Sequence, residues 1–342
     1  MIHSRTRHLL ILCFCLMAGS LLAEEPCLHI RVAKVKSILA ISSSPVGRHL
    51  LFYGPTEEAE GELIGGNVFR LRLSKSGSDV SQFAVPSASN PAAPVWKRDG
   101  SSAYFETDRG IYQLKSADGL PYMLLKEPSV GLALSSDDHL VAFWRIEKGA
   151  DTLVVYDLQK GKVTRTWRVP DHFESDKSGW DLAFAPNSRI LYARTYDKTS
   201  RTPLKSFDIA SGKVETVSSN SYAVAAGSKA VYFIAVSDTG RSLRKIIPAT
   251  NQSRIVATEF GYDTLSSAGK LGWLAAQDYR TRETVIVDTA TDAIKSIGKR
   301  ESVAVLPDGR LLSAIGSQIT VGDTSCKSEL RTEKSDLGNW GT

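Results

Sequence analysis

Three carboxylates, Asp181, Asp263 and Glu301, each stand just ahead of a short apolar run. Brought together in space, two or more of them could hold a divalent ion, and an ion so held activates water for hydrolysis. Trp180, Tyr222, Tyr262 and Arg300 stand beside them or at matching positions in sister segments. Aromatic faces next to charged groups suit a different chemistry, the binding of a sugar, a cationic ligand or a peptide by stacking and charge-assisted hydrogen bonds. The structural alternative for the same set is that Trp180 and Tyr222 pack between sheets while the acids cap strand ends.

Little else in the chain carries chemistry. Beyond residue 23 only four histidines occur, His29, His49, His139 and His172, with no His-x-x-x-His or Cys-x-x-Cys spacing for zinc. His49 and His139 fall in or beside turns, where they face solvent. His172 lies in Pro170-Asp171-His172-Phe173-Glu174, whose acids could join it around a cation but which reads more simply as a surface loop. There is no Gly-x-Ser-x-Gly elbow, no Gly-rich phosphate loop and no EF-hand loop. No cofactor and no catalytic residue are therefore assigned; enzymatic activity stays open, and the residues favour a binding role over it.

The elements that place these residues repeat. Between Trp180 and Ser218, Asp181 to Ala185 and Ile190 to Arg194 are apolar-rich runs around a Pro186-Asn187-Ser188 turn. Leu204 to Ile209 and Val214 to Val217 flank a second turn, Ala210-Ser211-Gly212-Lys213. Four antiparallel strands in about 40 residues have the size of one propeller blade. The first hairpin recurs from Ser42, Pro94, Leu132, Ala223, Thr264 and Val303, with Gly47, Gly100, Asp138, Ser188, Ser228, Gly269 and Gly309 at equivalent turn positions. The steps are roughly 40 to 50 residues, the period of a propeller or solenoid. Asp157, Asp208 and Asp288 recur in the second half of their copies. The pattern predicts an all-β fold, a seven-bladed β-propeller of four-stranded antiparallel blades. Six or eight blades stay open, because the fifth copy is degenerate and the first carries the insertion Gly54 to Gly66.

At these hairpins the chain resembles the TolB-like and YVTN-type propeller repeats, whose blades carry a Ser-Pro-Asp-Gly-Lys turn, then an aspartate-containing strand and a Thr-Gly-Lys turn. Pro307-Asp308-Gly309-Arg310 matches well; Val46, Asn187 and Ser188 depart, and the fifth copy keeps only Gly227-Ser228-Lys229. The Gly-His pair of the WD-repeat class is missing, and its Trp-Asp pair occurs once, at Trp180-Asp181, ahead of an inner strand rather than repeated from blade to blade. The resemblance covers nearly the whole chain after the leader and implies a disc around a central channel. It implies no reaction, since one fold hosts binding modules, enzyme subunits and scaffolds alike.

The two ends complete the reading. Arg5 and Arg7 precede the almost continuously apolar Leu9 to Ala23. That is a secretory signal peptide over residues 1–23, too short for the roughly 18 to 20 residues of a spanning helix. Cleavage falls after Ala23, with cleavage after Ser20 or an uncleaved anchor as the other readings. The propeller spans 24–326 and a polar tail 327–342, and the expected location is periplasmic or secreted. Only Cys27 and Cys326 outlast the leader. Exported thiols tend to pair, and a propeller brings its ends into one blade, so a Cys27–Cys326 disulfide is expected; two thiols that never meet are the other reading. Leu28 to Ala33 is a spare strand that would complete the last blade and close the ring.

The formal charge of +5 comes from 42 basic and 37 acidic residues, and losing Arg5 and Arg7 leaves 40 against 37. Charges this balanced and scattered give no nucleic-acid surface. Trp96, Trp144, Trp167 and Trp273 lie in or beside strands and read as core between blades. Asn251-Gln252-Ser253 fits the glycosylation pattern, which matters only in a eukaryotic host. The insertion with its four glutamates reads as a lid, an acidic docking loop or simply a solvated loop. The face on which the inner strands begin gathers loops from every blade, so Trp180, Asp181, Tyr222, Tyr262, Asp263, Arg300 and Glu301 are the candidate ligand-binding set. The expected function is a rigid platform for a protein partner or a small polar ligand. The alternatives are a lactonase-like metal-dependent hydrolase, the propeller subunit of a quinoprotein or dehydrogenase, and a structural spacer in an envelope complex.

Overall fold

Ala103–Thr107 and Ala150–Asp157 are buried along their whole length rather than at alternate residues. A strand buried on both faces needs a second sheet against each of them, which is the condition inside a ring of radially packed blades. The computed structural model describes residues 27–32, 35, 37–38, 40–46, 49–55, 67–74, 77–86, 93–107, 109–115, 119–147, 150–170, 181–196, 201–267, 272–278, 280–323 and 326. They form seven four-stranded antiparallel sheets. Among the described residues there is no helix long and apolar enough to cross a membrane. The signal peptide, most of the Gly54 to Gly66 insertion, Gly47, His172, Trp180, Gly269 and the tail lie outside the described residues.

Blades 1 to 6 run in chain order over 40–86, 95–125, 129–170, 182–218, 221–257 and 264–299. Blade 7 takes its three inner strands, Ser302–Val305, Leu311–Ile315 and Gln318–Gly322, from the C-terminal end. Its outer strand is the N-terminal Leu28–Arg31, paired antiparallel with Gln318–Gly322. The disulfide between Cys27 and Cys326, 299 residues apart in sequence, bridges these strands. A Cβ at Gly322 would come within 2.0 Å of the Cys326 Sγ, so only glycine fits beside the bridge.

The core is divided among the blades. Among the described residues seven apolar clusters are present, one in each seam between adjacent blades. The cluster between blades 7 and 1 joins Ile319 and Val321 to Leu50 and Phe52 and closes the ring. Trp144 is completely buried between blades 3 and 4 with Trp167 packed against the same cluster, while Trp96 and Trp273 border the 1–2 and 6–7 seams. The expected role of all four tryptophans holds.

The repeated turn residues have one physical cause. Gly100, Asp138, Ser188 and Gly309 have φ of 68°, 62°, 57° and 89°, the left-handed region that closes a tight turn. Their amides donate to Lys97, Ser135, Ala185 and Leu306 carbonyls three residues back. Ser228 does not share this conformation, which corrects its assignment; its amide and hydroxyl turn instead to Thr289 Oγ1 of blade 6. Asp157, Asp208 and Asp288 close the second turns by accepting from amides of Lys160, Ser211 and Ala290. Their regular recurrence is thus turn chemistry.

These turns lie together on one face of the ring, the turn face, and side chains stitch it from blade to blade. Ser43 Oγ donates to Val305 O, Arg98 N to Asp138 Oδ2, and Ser136 Oγ lies 2.8 Å from Ser188 Oγ. Farther out, Tyr192 Oη donates to Asn251 Oδ1 and Tyr232 Oη to Asp292 Oδ1, each crossing to the turn of the next blade. The opposite face, where the inner strands begin, carries the connections between blades and is called the loop face below.

Candidate functional site

On the loop face the chain brings Tyr222 and Asp263 together through a residue that sequence reasoning did not select, Arg241. Tyr222 sits in the inner strand of blade 5, Ser221–Ala226, where pairing slips between Ser221 and Val224. A β-bulge re-aims the side chain beside it; Ser221 and Ala223 stay buried while the Tyr222 ring is 38% exposed. Arg241 opens the strand Gly240–Ile247 directly after the Ser237–Gly240 turn. Gly240 takes φ 122° there, and Ser237 Oγ donates to its carbonyl at 3.1 Å. Asp263 precedes the inner strand of blade 6 and is anchored by its amide to Gln277 O.

The Arg241 guanidinium carbon lies 4.3 Å from the Tyr222 ring centroid, a cation–π stack. Its Nη1 is 3.9 Å from Asp263 Oδ2, an ion pair beyond hydrogen-bond reach. Among the described residues the guanidinium donates no hydrogen bond. Arg241 is 32% exposed and Asp263 16% exposed, so the pair borders solvent. Asp278 also feels the Arg241 charge, but its Oδ1 accepts from the Arg280 and Thr281 amides, which hold the carboxyl below the usual carboxylate range. Tyr262 belongs to the seam: its ring packs 4.9 Å from Phe260 in the cluster between blades 5 and 6. Withdrawal from water, with Glu283 and Asp278 nearby, raises its hydroxyl pKa.

The remaining candidates are committed elsewhere. Asp181 Oδ2 accepts from Arg194 Nη1 at 3.1 Å, and Arg194 Nε donates to Ser221 O, tying blade 4 to blade 5. Loss of hydration raises the Asp181 carboxyl pKa, and Arg194 offsets part of that rise. Arg300 is 6% exposed and donates to the Lys299 and Cys326 carbonyls. Glu301 Oε2 accepts from Gly316 N at 2.7 Å, holding a loop of blade 7. The three carboxylates that a metal-dependent hydrolase would need therefore serve three different partners. Among the described residues no three His, Cys, Asp or Glu side chains gather into a metal-holding group. His29 Nδ1 bonds to Thr320 Oγ1 on blade 7, and His139 is exposed in its turn.

Asn251, the residue of the glycosylation pattern, is also occupied. Its Nδ2 donates to Ser206 Oγ and Glu215 Oε2 of blade 4, and Tyr192 donates to its Oδ1. A glycan on Nδ2 would break this junction.

The signal that would have found Arg241 is modest. Asp238-Thr239-Gly240 is a turn, and the arginine after it starts a strand on the same face as Tyr222. Chemically, the arrangement offers an aromatic plane, a fixed guanidinium and a flanking carboxylate, which are parts for binding.

No protein-family model matches the chain, and neither does any curated protein. Solved structures do. One from Kuenenia stuttgartiensis hydrazine synthase is similar at 15% identity and TM-score 0.60, covering 88% of this chain and 99% of that one. The β-propeller domain of Cps50 (Swd1) from Myceliophteria thermophila is 14% identical, with TM-score 0.58 and coverage of 86% and 97%. A chain of a mitotic checkpoint complex is 15% identical, with TM-score 0.56 and coverage of 88% and 94%. At such identities the likeness is one of fold, and it covers 86% to 88% of this chain.

Proposed function

We propose that the chain is an exported β-propeller that serves as a rigid docking platform, engaging a protein partner or a small polar ligand on its loop face between blades 5 and 6. The observation that carries this reading is the half-exposed Tyr222–Arg241–Asp263 group, held by a bulge, a turn and an inner-strand start. The stitched turn face and the filled seams supply the rigidity such a platform needs, because a preorganised surface loses less entropy on binding. The similarity in fold to a chain of a mitotic checkpoint complex is in keeping with a docking role. Export is part of the proposal. It rests on the leader at residues 1–23 and is supported by the Cys27–Cys326 bridge, since such bridges persist in oxidising compartments. The relationship to TolB-like and YVTN-type repeats belongs to the same reading and is supported by the left-handed turn positions.

The test compares wild type with Tyr222→Ala and Asp181→Asn, each purified from the exported fraction after mild cross-linking. Tyr222→Ala should lose the bound partner or ligand while Asp181→Asn keeps it. Equal retention by both variants would remove the blade 5–6 surface from consideration.

A further inference from the structure

Resting on that reading of the loop face, we infer that Arg241 is a receptor for a singly charged carboxylate, such as that of an acidic side chain or a chain end. Four observations lead there. The guanidinium carries five N–H donors in a planar fork. Among the described residues none of these donors is used in a hydrogen bond, and the contact with Asp263 at 3.9 Å is too long to consume one. The Tyr222 ring, 4.3 Å from the guanidinium carbon, restrains the fork from one side while its N–H groups stay available. The group is 32% exposed on a bulge-and-turn scaffold, so the side-chain entropy of presenting it is largely lost in folding.

The charges nearby select the ligand. Asp263 lies 3.9 Å from this arginine and Asp278 is near enough to feel its charge, so a phosphate dianion entering there meets repulsion that a single negative charge meets only in part. A carboxylate matches the fork in shape and can be held by two parallel bonds. The exposed Tyr222 ring beside it offers apolar contact for the methylene or backbone that carries the carboxylate. In this arrangement Asp263 competes with the ligand for Arg241, and that gives the inference its sign.

Arginine side-chain Nε–H signals of the full chain are titrated with acetate, with an N-acetylated and C-amidated Gly-Glu-Gly peptide whose one carboxylate is its only charge, and with inorganic phosphate. The Arg241 signal is identified by its loss in Arg241→Lys. It should move saturably with acetate and peptide and less with phosphate. Asp263→Asn should tighten the response about two- to five-fold, the worth of a surface ion pair. Tighter binding of the peptide than of acetate assigns the site to a partner polypeptide; the reverse assigns it to a free carboxylate. A shift that does not saturate, or a response weakened by Asp263→Asn, overturns the inference and leaves Arg241 as half of a structural pair. Partner binding that is lost in Tyr222→Ala without any carboxylate response refutes this inference alone. A carboxylate response with partner binding indifferent to Tyr222→Ala refutes the platform reading instead.

Discussion

Tyr232 donates its hydroxyl to Asp292 Oδ1 at 2.8 Å across the seam between blades 5 and 6. Lys245 and Arg254 pair with the other oxygen of the same carboxylate, so one acid gathers three donors. These bonds hold the Asp292 carboxyl below its ordinary range against the opposing effect of burial. An unfolded aspartate titrates near 3.9. The stabilisation is therefore complete above about pH 4 and is lost as pH falls through the folded value. Tyr232→Phe should cost about 1 kcal/mol and Asp292→Ala about 2–3 kcal/mol at neutral pH, the latter leaving Lys245 without its partner. Denaturant unfolding between pH 2 and 7 checks both, and Asp292→Asn should make the acid limb of the curve shallower, the rest of it belonging to other aspartates held low, such as Asp137 and Asp308.

The neighbouring seam is held in the same way by Tyr192 and Asn251. Burial, reinforced by Glu215, pushes the Tyr192 hydroxyl up to about 12, so this bond survives through mildly alkaline pH. Asn251→Ala should destabilise by about 1–2 kcal/mol, because Tyr192, Ser206 and Glu215 each lose a partner. Thermal unfolding of the variant measures this. A midpoint equal to wild type would show the junction to be incidental.

Ring closure makes a sharper prediction. Non-reduced mature protein should show no alkylatable thiol at Cys27 or Cys326 by intact mass. The paired Cys27→Ser and Cys326→Ser variant should lose up to about 5 kcal/mol, given the length of the loop. Gly322→Ala should expose both thiols without any cysteine being changed, because its methyl group would occupy the place of Cys326 Sγ.

Gly309 tests the turn chemistry in isolation. It has φ of 89° with nothing within 4 Å of where a Cβ would stand. Gly309→Ala should cost about 1–2 kcal/mol from backbone strain alone. Urea unfolding would show this as a lower midpoint at unchanged slope.

How far the sequence could be read follows from the range of the interactions concerned. Turn positions such as Gly100, Asp138 and Gly309 are local, because the left-handed conformation is written in the residue itself, and with the period they led to seven blades. Ser228 misled because its turn is governed by Thr289, 61 residues away. The four tryptophans were placed correctly by strand membership. Asp181, Arg300 and Glu301 were selected for chemistry, and the structure shows each bound to a partner that no spacing announces. Arg241 was missed for the same reason: its role arises where a bulge of blade 5 meets the start of blade 6.

Native mass spectrometry of the protein isolated from its own exported fraction, beside its Tyr222→Ala variant, bears most directly on the docking reading. Wild type should appear as a particle carrying a second polypeptide or a small ligand at stoichiometric level, and the variant should fold but carry neither. Wild type and variant with the same bound complement, or with a stoichiometric divalent metal in place of a partner, would contradict the docking reading.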